Sequence, residues 1–240
     1  MLANLFDFSG YGPRLLAGGF LTLQIAIFSM LIALLLGLMS ASARLSGSRI
    51  LRSVSSIYTT VIRGIPDLIL MMLFFYGSQT LLASLTDWLY DYSDGVFDWQ
   101  INIDPYYAGI GTIGFMFGAY MSETFRGAFQ AIEFGQIEAA RAYGMTHWQI
   151  FRRIRFPQMM RHALPGIGNN WMVLLKTTAL VSLINLSDMV RVADEATKAL
   201  HQPFKFMIPV ALGYLVIASV SELFLKWLTR RYDVGFKEAS

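Results

Sequence analysis

Long apolar stretches recur along the chain. Leu15 to Ala43, Leu68 to Thr86, Pro105 to Ser122 and Phe206 to Ser221 carry no charge, and Ala163 to Ser187 carries only Lys176. The third resumes its apolar character past Glu123 and Arg126, and the last continues past Glu222 as Leu223, Phe224 and Leu225. A transmembrane helix needs about 20 mostly apolar residues. The pattern predicts an all-α integral membrane protein with five spans, at about 15–43, 58–86, 105–130, 163–188 and 206–229. No linker, low-complexity run or internal repeat breaks it, so residues 1–240 read as one transmembrane domain. The first stretch is too long for the apolar core of a signal peptide, and Arg14 is the only basic residue before it, which predicts a retained span.

The loops differ in charge. Arg44, Arg49, Arg52 and Arg63 follow the first span; Arg126, Arg141, Arg152, Arg153, Arg155 and Arg161 lie between the third and fourth; Arg230, Arg231 and Lys237 end the chain. Between the second and third spans come Asp87, Asp91, Asp94, Asp98 and Asp104, with no Lys or Arg. Lys and Arg concentrate in cytoplasmic loops. The N-terminus is therefore expected outside and the C-terminus in the cytoplasm. Trp88, Tyr90, Tyr92, Trp99, Tyr106 and Tyr107 fit an outer aromatic belt.

Composition agrees with this picture. Of 240 residues, 55% are hydrophobic and 15% charged, with a mean hydropathy of +0.49; soluble domains carry about 25% charged residues. A soluble enzyme and a disordered chain are both excluded. The chain has no Cys, and its three His are scattered, so no thiolate, disulfide or zinc chemistry is expected. No metal or nucleic-acid site is read.

The cytoplasmic loop 133–161 is the most informative segment. A first short helix is expected from about Gln136 to a stop at Gly144. A second starts at Thr146-His147-Trp148-Gln149, which has capping-box spacing, and ends at Pro157. Trp148, Phe151 and Ile154 recur every third residue on one face, with Arg152, Arg153 and Arg155 off it. Periodicity alone leaves two partners open: a protein groove or an anionic membrane surface.

Glu138-Ala139-Ala140, Gly144 and Ile154-Arg155-Phe156-Pro157 resemble the EAA loop of ATP-binding-cassette importer permeases, whose pattern is E-A-A, three residues, G, nine residues, I-x-L-P. Phe156 for Leu is the one departure. Arg63-Gly64-Ile65-Pro66 is similar to the family's R-G-T-P, Glu123 to Gly127 to its E-x-x-R-G, and Leu174 to Ser182 to its L-L-K-x-T-S-L-V-S. Asp67 after Pro66, and Ala163 to Trp171, look like the HisQ type within the polar amino-acid subfamily; octopine and nopaline permeases are similar.

The resemblance implies a type I importer fold and a permease for histidine, lysine, arginine, ornithine or related opines across a bacterial inner membrane, with glutamine as an alternative solute. It implies as partners an ATPase dimer, a second permease (a paralogue or a copy of this chain) and an extracytoplasmic solute-binding protein. It implies ATPase coupling through Glu138, Ala139, Ala140, Gly144, Ile154 and Pro157. The chain contains no Gly-Lys dipeptide and so no phosphate loop of the G-x-x-x-x-G-K-[ST] kind. It is expected to hold no cofactor, with ATP and Mg on the partner ATPase.

Charges at bilayer depth cost several kcal/mol and need an explanation. Lys176, beside Thr177, either lines the solute route or pairs with another helix. Glu123 either meets a cationic solute or pairs with Arg126 three residues on. Asp67 either lines the route, caps its helix or pairs with Arg63. Glu222 and Lys226 are expected to pair. Gly166, Gly168, Asn169 and Asn170 after Pro165 either mark a broken helix at a transport site or close packing.

Other classes fit less well. A secondary transporter usually has more spans. An intramembrane enzyme needs a catalytic cluster, and neither H-E-x-x-H nor paired intramembrane aspartates occur. A membrane anchor leaves Lys176 unexplained.

Overall fold

The structure is a computed structural model, and it describes residues 10–93 and 103–232. Asp94, Asp98, Trp99 and Lys237 lie outside the described residues. Among those described, the elements are helical: α1 (Tyr11–Leu45), α2 (Arg49–Gly64), α3 (Asp67–Tyr92), α4 (Pro105–Gln130), α5 (Phe134–Ala142), α6 (His147–Ile150), α7 (Phe156–Thr177), α8 (Met189–Leu200) and α9 (Pro203–Tyr232).

Four described helical runs are long and apolar enough to cross a membrane: Tyr11–Leu45, Asp67–Tyr92, His147–Ile184 and Pro203–Arg231. α4 has comparable length, 26 residues, but five glycines and the pair Glu123 and Arg126 dilute its apolar character. Its place explains that composition. α4 is the central helix, packed against α1, α2, α3 and α7. Helices in lipid associate through small residues that let backbones approach. Ser29, Ala33, Gly37 and Ala41 make a buried stripe on α1, four residues apart, facing Gly114, Gly118 and Ser122 of α4. A Cβ on Gly37 would lie 2.3 Å from the Met121 Cβ, and one on Gly114 2.7 Å from Ile32. Matching positions are 82 apart in sequence throughout (Ile32 with Gly114, Leu36 with Gly118, Ser40 with Ser122), so α1 and α4 run parallel.

Two boundaries differ from the expected ones, and at the fourth span one of two alternatives holds. The stretch 58–86 is not one helix. Pro66 lacks an N–H and pushes Ile65 to extended backbone (φ −107°, ψ 137°), separating α2 from α3. Pro157 does not end a helix. A π-helical turn, Phe151–Arg155, carries α6 into α7, and Pro157 sits in the first turn of α7, where a missing N–H costs little. The fourth span is not broken at its glycines: α7 runs through Pro165, Gly166 and Gly168, and gives way to a 3₁₀ segment only at Thr178–Ile184. A Cβ on Gly166 would meet the Thr124 side chain at 2.6 Å, and Asn170 donates to Thr124 Oγ1 at 3.0 Å. These small residues seat α7 on α4.

Candidate functional site: a docking turn and a line of intramembrane charges

The turn between α5 and α6 is built by complementary caps. Gly144 takes a left-handed φ of +74°, which a side chain would oppose. Its N–H donates to Arg141 O (2.9 Å), and Met145 N–H donates to Ala140 O (3.1 Å). These two bonds form the Schellman motif that closes a helix on glycine. Two residues later Thr146 and Gln149 make the expected capping box: Gln149 N–H donates to Thr146 Oγ1 at 3.3 Å, and Thr146 N–H to Gln149 Oε1 at 2.9 Å. Buried Ile137, Ala140 and Ile150 pin the turn to the core, and half-buried Ile154 packs beside them.

Glu138, Ala139, Gly144 and Pro157 are exposed. Ala140 is buried, where its small side chain lets α5 approach the core. Beside them three aromatic rings stand in solvent: Phe134 (65% exposed), Tyr143 (87%) and Trp148 (66%). Phe134 and Tyr143 were not legible as site residues, because neither falls on the Trp148-Phe151-Ile154 stripe. Large exposed apolar surface beside charge marks an interaction site. Trp148 stacks on Phe151, 5.8 Å between centroids.

The charges expected at bilayer depth divide, among the described residues, into those with partners and those without. Glu123 is saturated: its Oε2 accepts from Arg126 Nη2 (2.7 Å) and Nε (2.9 Å), and its Oε1 from Arg44 Nη1. Arg44 also donates to Thr59 Oγ1 at 2.9 Å. This cluster ties the adjacent ends of α1, α2 and α4, so Glu123 is a structural ion-pair centre and not a free carboxylate. Arg44 belongs to it, a role that loop charge counting could not show. Glu222 and Lys226 pair as expected (2.7 Å).

Lys176 is exposed on the isolated chain and has no ion-pair partner among the described residues. No interhelical pair with Lys176 is made among the described residues. Thr177 is turned away: it is buried, and its hydroxyl donates to Val173 O at 3.1 Å. Asp67 opens α3 but makes no side-chain cap, and no Arg63–Asp67 pair forms among the described residues. Instead Arg63 lies over the Tyr120 ring, 5.5 Å from its centroid, and Arg63 and Asp67 both lie within electrostatic range of the Tyr120 hydroxyl. Tyr120 was missed because nothing in its sequence context marks it as facing a charge.

Asp188 lies in the connection between Ile184 and α8, outside the helices that can cross a membrane. It caps α8, its Oδ1 accepting from Arg191 N–H at 2.9 Å, while its buried Oδ2 has no hydrogen-bond partner among the described residues. Burial pushes this carboxyl up to about 6. Among the described residues, no group of three or more His, Cys, Asp or Glu could hold a metal ion.

Residues 33–234 match the family described as binding-protein-dependent transport system inner membrane component. The histidine/lysine/arginine/ornithine transport system permease protein HisQ of Salmonella typhimurium is 52% identical over 98% of this chain and 99% of its own. The octopine transport system permease protein OccQ of Rhizobium meliloti is 39% identical over 90% and 89%. Among solved structures, an amino acid ABC transporter crystallised with histidines superposes with a TM-score of 0.77 at 30% identity, over 95% of this chain and 98% of that one. The MetNI methionine transporter shares the fold, with a TM-score of 0.67 at 17% identity over 91% and 95%. The chain thus belongs to the family of inner-membrane components of binding-protein-dependent transport systems.

Proposed function

We propose that this chain is the permease subunit of an ATP-driven importer of basic amino acids. The family makes it a transport subunit of the inner membrane and not a catalyst. Near-complete alignment with a histidine/lysine/arginine/ornithine permease, and with an octopine permease, supports cationic or cation-bearing solutes. In this reading α1, α3, α4, α7 and α9 provide five crossings, the N-terminus lies outside, and the α5–α6 turn lies in the cytoplasm. A second permease completes the pathway, a solute-binding protein delivers solute from outside, and a partner ATPase dimer holds ATP and Mg.

The single observation that carries the coupling role is the α5–α6 turn. It is rigidly capped, yet it presents Glu138, Tyr143, Gly144 and Trp148 to solvent. A structure that invests in fixing an exposed turn is built to be gripped. Rigid-body movement of the ATPases would then pass through α6 and the π-helical turn into α7, which carries Lys176. Lys176 is proposed to line the route, because a partnerless charge at that depth needs water or a partner chain.

Combining Glu138→Lys with Gly144→Trp is expected to cut ATP-driven uptake below about a tenth while the membrane level of the protein is unchanged. Wild-type uptake by the double variant would contradict coupling through this turn.

A further inference from the structure

α2 has three faces, and only two are explained by the fold. Ser55, Thr59 and Ile62 are buried against α1 and α4. Ile50, Val54, Ile57 and Val61, at spacings of four, three and four, are exposed and apolar, as a lipid-facing stripe should be. The third face carries Arg52, Ser56, Thr60 and Arg63, again at helical spacing; Ser56 is half-buried and the others are exposed.

This face does not suit lipid. Tyr120 lies ten residues before Gln130, the last residue of α4, about 15 Å by helical rise, or about half the thickness of a bilayer core. Arg63 rests on that ring, one helical turn of α4 beyond the Glu123 cluster, and a charge left facing lipid is costly. The hydroxyls give independent support. Other hydroxyls on the long helices turn back on their own helix, as Thr80 does on Tyr76 O, Ser221 on Ile217 O and Thr229 on Leu225 O, or bond across to a neighbouring helix, as Ser29 does to Ile110 O and Ser122 to Ser40. The Ser56 and Thr60 hydroxyls make no such bond to any described residue, leaving them open to water. The stripe begins beside the α1–α2 turn, where Arg52 donates to Ser46 O, and ends at Arg63, Asp67 and Tyr120.

We propose that the polar face of α2 formed by Arg52, Ser56, Thr60 and Arg63 is the cytoplasmic half of the solute route, a water-filled slope from the Tyr120 and Asp67 level to the inner surface. This rests on the transport reading above and adds the path by which solute leaves. Serine and threonine hydroxyls offer solute weak, exchangeable hydrogen bonds. Arg63 and Asp67 bracket the upper end with both signs of charge, matching the carboxylate and ammonium of an amino acid. The guanidinium of Arg52 lower down would repel a cationic solute and keep it from lodging on the way out.

The chain has no Cys, so single cysteines report without background on this subunit. Ser56→Cys, Thr60→Cys, Ile57→Cys and Val61→Cys would each be placed in the complete transporter, in vesicles with the cytoplasmic face outward. A charged, membrane-impermeant methanethiosulfonate would be added, and modification read as a mass shift of this chain. Ser56→Cys and Thr60→Cys should react at least tenfold faster than Ile57→Cys and Val61→Cys, and excess arginine should slow Thr60→Cys. Equal rates on the two faces, or no reaction at Ser56→Cys and Thr60→Cys, would overturn the route. Uptake by the Cys-free parent, assayed in right-side-out vesicles holding ATP, separates the two claims. ATP-driven uptake with unreactive polar-face cysteines overturns the route alone, and loss of ATP-driven uptake in the parent overturns the transport reading as well.

Discussion

Glu123 holds two arginines from two helices, and its loss would leave both charges facing each other. The side chains of Arg44, Glu123 and Arg126 are between 21% and 32% exposed, so solvent screens part of that cost. Breaking a fully buried pair costs about 3–5 kcal/mol; here Glu123→Gln is expected to cost about 1–3 kcal/mol, read as a lower unfolding midpoint in detergent. An unchanged midpoint would show that the cluster is not structural. Lys176 is the opposite case. With no partner to lose, Lys176→Ala should leave stability within about 0.5 kcal/mol of the parent, as surface substitutions do, while lowering uptake at least tenfold. Equal uptake would remove it from the route. Asp188 supplies a pH dependence. Its folded carboxyl is raised to about 6 from 3.8, so the protonated form is the stabilised one. Its contribution is fully present below about pH 3.8 and is lost as pH rises through about 6. Asp188→Asn should therefore gain stability over the parent between pH 5 and pH 7.5, by at most about 3 kcal/mol, with little difference near pH 4. A constant offset across that range would contradict the assignment.

At the scale of elements, capping was the most legible chemistry. Gly144 and the Thr146–Gln149 box mark their helix ends through local bonds, which sequence records directly. Proline was less legible. Pro66 breaks the chain between α2 and α3, Pro157 fits a first helical turn, and Pro165 lies inside α7. What distinguishes them is the backbone before each and whether a π-turn or neighbouring helix absorbs the missing bond, and neither is written locally. The exposed rings of Phe134 and Tyr143 escaped for a related reason. Apolar periodicity finds the face that packs, whereas a docking surface is defined by what is left unpacked. α2 shows the same limit: its three faces become distinct only once Ser55 and Thr59 are seen to be the buried ones, against the usual expectation for polar residues. The α1–α4 seam makes a test at this scale. Gly37→Val or Gly114→Val would force a side chain into a gap under 3 Å, and overpacking of this kind costs about 1–3 kcal/mol. Each should lower the unfolding midpoint, while Gly111→Ala, where no atom lies near the added carbon, should not. Equal effects at all three positions would argue against the seam.

In the whole molecule, the π-helical turn and Lys176 lie on one continuous helical run from His147 to Ile184, which starts directly after the capped turn. The pieces proposed to receive the ATPase stroke and to meet the solute therefore share a single mechanical element. α9 stands at the other extreme. Its apolar window is 6% buried, and Leu212, Leu215, Val216, Val220 and Leu223 are exposed, leaving a long surface for lipid or a second permease. The central claim is that this chain passes basic amino acids inward only when an ATPase drives it. Its most direct test is uptake of labelled arginine, histidine and glutamine into vesicles holding the chain, its partner permease, the ATPase and ATP, with binding protein outside. Uptake of arginine and histidine, absent for glutamine and abolished without ATP, is the predicted result. Uptake that persists without ATP or without the ATPase would contradict it.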